Sequence, residues 1–267
     1  MNEIRIGARG TDYGNWMSKA FMRVFASAAA VTAILFCLCA FLINILPLTI
    51  IVGVLLVVVI AFAIWIAKVR QAFSFTGGRV MEKIQQNLVA HLDWDGIGMG
   101  LDIGCGSGSM TIMCAKKFEN SRMVGIDFWG SMWDYSKALC EQNAKLEGVG
   151  DRCKFIHDDA IDMDFEDETF DMVASNFVYH EVRNEPDKTK LIMETMRVLK
   201  KGGTFALQDF FDREEMFGKP EDIIAALKDA GISEVHYKGN IDEEGWIPKY
   251  VLSPMVIKDI GLLWGKK

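Results

Sequence analysis

Charge is absent from one long stretch: no Asp, Glu, Lys or Arg occurs between Arg23 and Lys68. A charge-free run of this kind excludes an ordinary amphipathic surface helix, which needs a polar face. As one continuous helix it would measure roughly 66 Å, about twice the roughly 30 Å hydrocarbon thickness of a bilayer. One span is therefore too few and two fit, at about 24–43 and 48–67. Asn44 and Pro47 interrupt the run between them; proline cannot continue a helix ladder and asparagine bonds loose backbone, so the chain is expected to reverse there. Lys19 and Arg23 precede the first span, Lys68 and Arg70 follow the second, and the turn has no charge. This asymmetry predicts a cell-membrane hairpin with both chain ends, and hence the rest of the chain, on the cytoplasmic side. Trp16 and Trp65 then fall at that interface, where an indole keeps its ring in the acyl region and its N–H among headgroups. A secretory signal is disfavoured, because its apolar core is only about 7–15 residues and ends at a cleavage site, whereas this run continues through both spans with basic residues after it.

Other shortages narrow the function. Basic residues are outnumbered, 29 Lys and Arg against 36 Asp and Glu for a net charge of −7, and no basic stripe with interleaved aromatics occurs, so nucleic acid is not an expected partner. The cysteines at 37, 39, 105, 114, 140 and 153 include no C-x-x-C pair, which argues against a zinc site or a disulfide framework and fits a reducing compartment; no metal is expected. Cys37 and Cys39 read as small apolar residues of a span.

What remains is a soluble part that alternates short apolar runs with helical stretches. "MGLDIGCGSGS" is a strand entering a glycine turn, "MTIMCAKKF" a helix, "RMVGIDFW" a strand and "SMWDYSKALCEQNAKLEG" a helix. "CKFIHDDA", "FDMVASNFVYH", "TFALQDFF", "SEVHYKGN" and "IGLLWGKK" supply further strands, with "DKTKLIMETMRVLKKGG" and "PEDIIAALKDAG" as helices between them. Strands alternating with helices require crossover connections. The expected fold is α/β: a Rossmann-like, doubly wound, mostly parallel seven-stranded sheet, with an antiparallel strand at one edge. Four regions follow: an N-terminal lid or interface segment (1–23), the transmembrane hairpin (24–67), a linker helix (68–92) and the α/β domain (93–267).

In such sheets ligands bind beyond the carboxyl ends of the strands, where strand order reverses. Gly104, Gly106 and Gly108 remove side chains where backbone must turn and approach a ligand, and the following helix offers its first amides. Ser109 stands where the dinucleotide pattern G-x-G-x-x-G needs its third glycine, which disfavours a nicotinamide dehydrogenase. Asp127 ends the second strand, where a carboxylate can accept both ribose hydroxyls of a nucleoside. Asp102 either meets a ligand or braces the turn, and Cys105 inside the loop reads as a small filler.

"LDIGCGSG", "VGIDFW", "HDDA", "SNFVYH" and "VLKKGGTFALQD", in this order, resemble the class I S-adenosylmethionine-dependent methyltransferases. The chain is most similar to their small-molecule branch, which includes menaquinone and ubiquinone C-methyltransferases, and "YGNWMSKAF" resembles the N-terminal lid of that branch. The resemblance implies S-adenosylmethionine as cofactor. It implies that Asp102 with Gly104 and Gly106 lines the methionine part, that Asp127 holds the ribose, that Asp159 with Ala160 beside it meets the adenine, that Asn176 lies near the sulfonium, and that Cys105, Gly108 and Phe128 also belong to the cofactor site. Methyl transfer from a sulfonium is an in-line displacement that needs alignment and exclusion of water, and a base only for some acceptors. "NFVYHEVRNEPD" offers His180, Glu181 and Tyr179 at the mouth of the site, and Asp209 lies just past the fifth strand. Of these, His180 has an ordinary pKa near neutrality; each has a structural alternative as a cap or loop bond. The expected function is a membrane-tethered methyltransferase acting on a small lipophilic or amphiphilic acceptor: a quinone, lipid amine, phenol or thiol. The alternative is a non-catalytic S-adenosylmethionine sensor or membrane scaffold. "WIPKYVLSPMVIKDIG" either walls the pocket, rests on the membrane or edges the core.

Overall fold

The computed structural model describes residues 4–130 and 135–267. Two compact units divide the chain, Asn15–Met81 and a larger unit of Met1–Gly14 with Glu82–Lys267.

The smaller unit is a helical hairpin. Ser18 caps helix α1 (Lys19–Leu38) by accepting the Phe21 N–H. One wider turn, Cys39–Ile43, continues it until Asn44 adopts a left-handed conformation at φ 57° and returns its N–H to the Cys39 carbonyl. Helix α2 (Leu46–Phe73) starts with Pro47 in its first turn, where the missing amide costs nothing. Asn44 therefore makes the reversal and Pro47 begins the second helix. Phe25 packs on Phe62 with ring centroids 4.9 Å apart, and Phe36 lies against Gly53, so the helices run antiparallel. Both are long and apolar enough to cross a membrane, and only 11% and 6% of their most apolar windows are buried. A core helix of a soluble protein would be covered. Beyond Ala67, α2 continues past Lys68 and Arg70; Asn15 donates to the Arg70 carbonyl, the Arg70 guanidinium bonds the Met17 carbonyl, and Trp16 stacks on Phe73. Region 68–92 is thus the end of α2, a turn and helix α3 (Val80–Ala90).

The larger unit holds β1 (Gly98–Ile103), α4 (Ser109–Lys117), β2 (Ser121–Asp127), α5 (Lys137–Leu146), β3 (Cys153–His157) and β4 (Phe170–Asn176). It continues with α6 (Lys188–Val198), β5 (Leu199–Asp209), the short α7 (Glu214–Phe217), α8 (Pro220–Asp229), β6 (Glu234–Lys238) and β7 (Gly261–Lys266). The stretch read as the second helix of the domain begins at 131, but 131–134 lie outside the described residues; α5 starts after Ser136, whose hydroxyl accepts the Leu139 N–H.

The sheet has order β3-β2-β1-β4-β5-β7-β6, and only β7 is antiparallel to its neighbours. The antiparallel strand is not at the edge, as its place in the sequence suggested. The α8 crossover carries β6 one lane beyond the strand next to β5, and β7, needing no crossover, fills the lane between them. Leu262 and Leu263 are buried there. Chain order runs outward from β1 through β2 and β3 on one side and through β4 and β5 on the other, so the switch point lies between β1 and β4.

Residues 4–14 lie on this unit although the chain leaves it for the hairpin immediately afterwards. Glu147 Oε1 accepts the N–H groups of Gly7 and Ala8 (2.8 Å from Ala8) and the Tyr13 hydroxyl, while its Oε2 pairs with Lys116 at 2.7 Å. Lys116 and these amides hold the carboxyl below the usual range although burial opposes them. Asn143, fully buried, exchanges hydrogen bonds with the Asp12 backbone.

Candidate active site

The glycine turn after β1 is shaped by its neighbours. Gly104 has φ 69°, and a Cβ there would collide with Val178 in the loop after β4. The switch point is thus closed by direct apposition of two loops. Gly106 and Gly108 also take positive φ, and a Cβ at Gly108 would press on the Phe155 ring at 3.2 Å. The Cys105 N–H bonds the Ile126 carbonyl, and its thiol, pushed up by burial and the nearby Cys140, is inert filler.

Asp127, ending β2, organises the loop. Its Oδ2 accepts the Gly106 N–H at 2.8 Å and its Oδ1 the Trp129 N–H at 2.7 Å, which among the described residues leaves one lone pair on each oxygen. Trp129, at φ 40°, returns its indole N–H to the Gly106 carbonyl. This clamp was not legible in the sequence, where Trp129 had no role. Phe128 beside it is 61% exposed, with its ring 5.1 Å from His157.

Asp102 faces inward. It is 1% exposed, accepts from Thr111 Oγ1 at 2.6 Å, and burial pushes its carboxyl up to about 7 against that bond and with help from Asp127. The bond pins α4 beneath the loop, the bracing arrangement of its two readings. Asp159 accepts the Ile161 N–H and Asp158 the N–H groups of Asp159 and Asp164, an arrangement that orders the turn after β3 beside Ala160. At the end of β4, Asn176 accepts from Gln208 at 2.8 Å.

Across the switch point the loop after β4 meets the end of β5. His180 donates from Nδ1 to Asp209 Oδ1 at 2.8 Å, and its backbone N–H and that of Phe210 bond the same carboxylate. Asp209 is fully buried and the His180 side chain is 13% exposed. Burial opposes a charge on the ring, but Asp209 and Glu181 outweigh it and raise His180 to about 9. Glu181 Oε1 stands 3.6 Å from Nε2, beyond hydrogen-bond length, and His180 in turn keeps the Glu181 carboxyl below its usual range. Phe210 and Phe177 wall the imidazole, with ring centroids 4.8 and 6.4 Å away. The buried Lys188 bonds the Val182 and Glu185 carbonyls, fixing the far end of this loop. Tyr179 is not brought to the site: its phenol turns inward, pairs with Thr195 Oγ1 at 2.8 Å and is 1% exposed, so burial raises its pKa.

The site therefore offers a backbone cradle at the end of β1, a carboxylate with spare lone pairs at the end of β2, and a histidine–carboxylate pair at the ends of β4 and β5. A nucleoside attached to a short charged tail is the kind of ligand that a glycine turn and a carboxylate at successive strand ends take in such sheets, and among the described residues the carboxylate can still accept hydroxyls.

Residues 101–203 match the family model described as a methyltransferase domain. The chain is 38% identical over 104 residues to a demethylmenaquinone methyltransferase of Staphylococcus aureus, a match covering 39% of each protein. It thus spans well under half the length of the curated relatives it matches. Among solved structures, the [4+2]-cyclase SpnF has a TM-score of 0.55 at 16% identity, over 69% of this chain and 80% of that one. A geranyl diphosphate C-methyltransferase of Streptomyces coelicolor A3(2), solved with Mg2+, geranyl diphosphate and S-adenosyl-L-homocysteine, has a TM-score of 0.53 at 15% identity, over 71% of this chain and 80% of that one. At such identities these likenesses show the fold. The sheet order and the glycine cradle agree with the family match, so residues 101–203 are similar to a methyltransferase domain, set in a fold shared with S-adenosylmethionine-dependent methyltransferases.

Proposed function

We propose that the protein transfers a methyl group from S-adenosylmethionine to a small lipophilic acceptor while tethered to a membrane by its α1–α2 hairpin, with the domain on the cytoplasmic side. The observation that carries this is the pairing of the glycine cradle and Asp127 with the His180–Asp209 pair across the switch point. A sensor of S-adenosylmethionine needs the first pair of features and has no use for the second.

The cofactor supplies an electrophilic methyl on a sulfonium. Gly104, Gly106 and Gly108 would admit its methionine part, Asp127 would accept the ribose hydroxyls, Asp159 and Ala160 would border the adenine, and Asn176, held by Gln208, would lie nearest the sulfur. His180, charged near neutrality, donates from Nε2 to an acceptor oxygen and steadies it as an anion, while Asp209 fixes the ring. Phe177 and Phe210 keep water from the reacting atoms. This favours acceptors that present a phenolate or enolate, and the relative of Staphylococcus aureus described above is a demethylmenaquinone methyltransferase. The apolar, exposed hairpin supports the lipophilic part of the reading.

The test is formation of S-adenosylhomocysteine by the detergent-purified protein with a demethylated naphthoquinol bearing an isoprenoid tail, against a tail-less water-soluble phenol. Turnover of the first at a KM at least tenfold lower supports the proposal; turnover of neither, with S-adenosylhomocysteine binding intact, overturns it.

A further inference from the structure

We propose that Asn143 of α5 is a positioning residue of the cofactor site: it ties residues 12–14 to the glycine cradle, so that cofactor binding and the docking of that segment strengthen one another. This rests on the reading of the cradle and Asp127 as the place of S-adenosylmethionine.

Asn143 is fully buried on the inner face of α5, with Cys140 and Ala144 buried beside it. Those neighbours are small and apolar, so the packing of α5 gives no reason for an amide here, and an amide buried without partners is unfavourable. Its side chain serves two other segments instead. Nδ2 donates to the Asp12 carbonyl at 2.8 Å and to the Ser107 carbonyl at 3.0 Å, while Oδ1 accepts the Asp12 N–H at 3.0 Å. Ser107 stands between Gly106 and Gly108, is 4% exposed, and donates from its hydroxyl to the Tyr13 carbonyl at 3.2 Å, across 94 positions of chain. The middle of the cradle is thus held at its carbonyl by the helix and at its hydroxyl by the N-terminal segment.

The same segment meets the cradle once more. A Cβ at Gly14 would strike the Tyr135 ring, and one at Gly106 would lie 3.5 Å from the opposite edge of that ring, so a single aromatic side chain is held between the end of the segment and the second glycine of the cradle. Buried amide networks of this kind act as a unit. Freeing residues 12–14 takes one partner from Ser107 and one wall from Tyr135, and the turn then loosens where the ligand has to be received. By linkage, the factor that the docked segment adds to cofactor affinity is the factor that the cofactor adds to docking of the segment. An asparagine that served only the packing of α5 would affect stability and leave the two events independent.

The test combines calorimetry of S-adenosylhomocysteine binding with deuterium exchange, on the detergent-purified full-length protein and two variants. Asn143→Leu keeps the volume and removes the bridge; Asp12→Pro removes the N–H at its other end and leaves α5 untouched. In the native protein S-adenosylhomocysteine slows exchange at residues 11–14 as well as at 104–110. Each variant binds it about tenfold more weakly, the two together no more than about twentyfold, and in each the ligand still slows exchange at 104–110 but not at 11–14. Native affinity in Asn143→Leu, a native protein in which the ligand leaves exchange at 11–14 unchanged, or effects that multiply to about a hundredfold in the pair overturn the inference while the cofactor site stands. If Asn143→Leu does not fold, Asp12→Pro and the native exchange pattern decide between these outcomes. No binding of S-adenosylhomocysteine by the native protein overturns the cofactor site and the inference with it.

Discussion

Replacing Asp209 by Asn removes one buried charge and almost no volume, and its effect should be read at His180. Asparagine still offers an oxygen to the ring N–H and to the Phe210 N–H, so the geometry can persist. In the native protein the ring is raised from 6.5 to about 9 although its burial works the other way. At about 1.4 kcal/mol for each tenfold in proton affinity, this is about 3 kcal/mol of preference for the charged ring. Because the folded value lies above the unfolded one, that stabilisation is complete below about pH 6.5 and disappears as pH rises through about 9. In D209N burial dominates, and the ring is expected to titrate at or below 6.5, with the pH-dependent loss gone between 6.5 and 9. Carbon-13-labelled histidine NMR in micelles follows the four imidazoles directly, with H180Q assigning the signal. Methyl transfer to an acceptor already ionised at neutral pH should be level from pH 7 to 8.5, fall above 9 in the native protein, and be at least tenfold slower in D209N at pH 7.5. A native His180 that titrates near 6.5, or a D209N ring still near 9, would refute the reasoning.

Three other substitutions probe separate parts of the account. Gly104→Ala, which sets a Cβ against Val178 at positive φ, should abolish S-adenosylhomocysteine binding measured by calorimetry and lower thermal stability by about 2 kcal/mol or more. Asp127→Ala leaves the Gly106 and Trp129 amides without their carboxylate and removes the ribose acceptor; cofactor affinity should fall 10- to 1000-fold, corresponding to about 1.4–4 kcal/mol. Glu147→Gln weakens the charge-assisted bonds from Gly7, Ala8 and Lys116, so amide exchange of residues 4–14 should quicken while β1 and β4 keep their protection, with a stability loss of about 1–3 kcal/mol.

Much of this arrangement is local in the chain and was legible there. The glycine turn after β1 and the acid ending β2 are short motifs at strand ends, and the His180 and Asp209 positions follow from the ends of β4 and β5. What the sequence hid is direction and distance. Successive residues of the tight turn at Tyr179–Glu181 point different ways, which sends the Tyr179 phenol into the core and His180 to the site. Asp102 precedes the loop in sequence but bonds beneath it, because strand residues alternate between faces. The partnership of Gly7 with Glu147 spans 140 positions, and the lane taken by β7 depends on where α8 delivers β6. Neither leaves a periodic trace.

Methyl transfer itself is the most direct test. S-adenosylmethionine labelled on its methyl group is given to the purified full-length protein with a lipid extract of the source membranes, and the label is counted after organic extraction. Label in the organic phase, absent in H180Q and in Asp127→Ala, is the expected result. No label in either phase, with S-adenosylhomocysteine binding intact, would contradict a methyltransferase of membrane-soluble acceptors and leave a protein that only holds its cofactor.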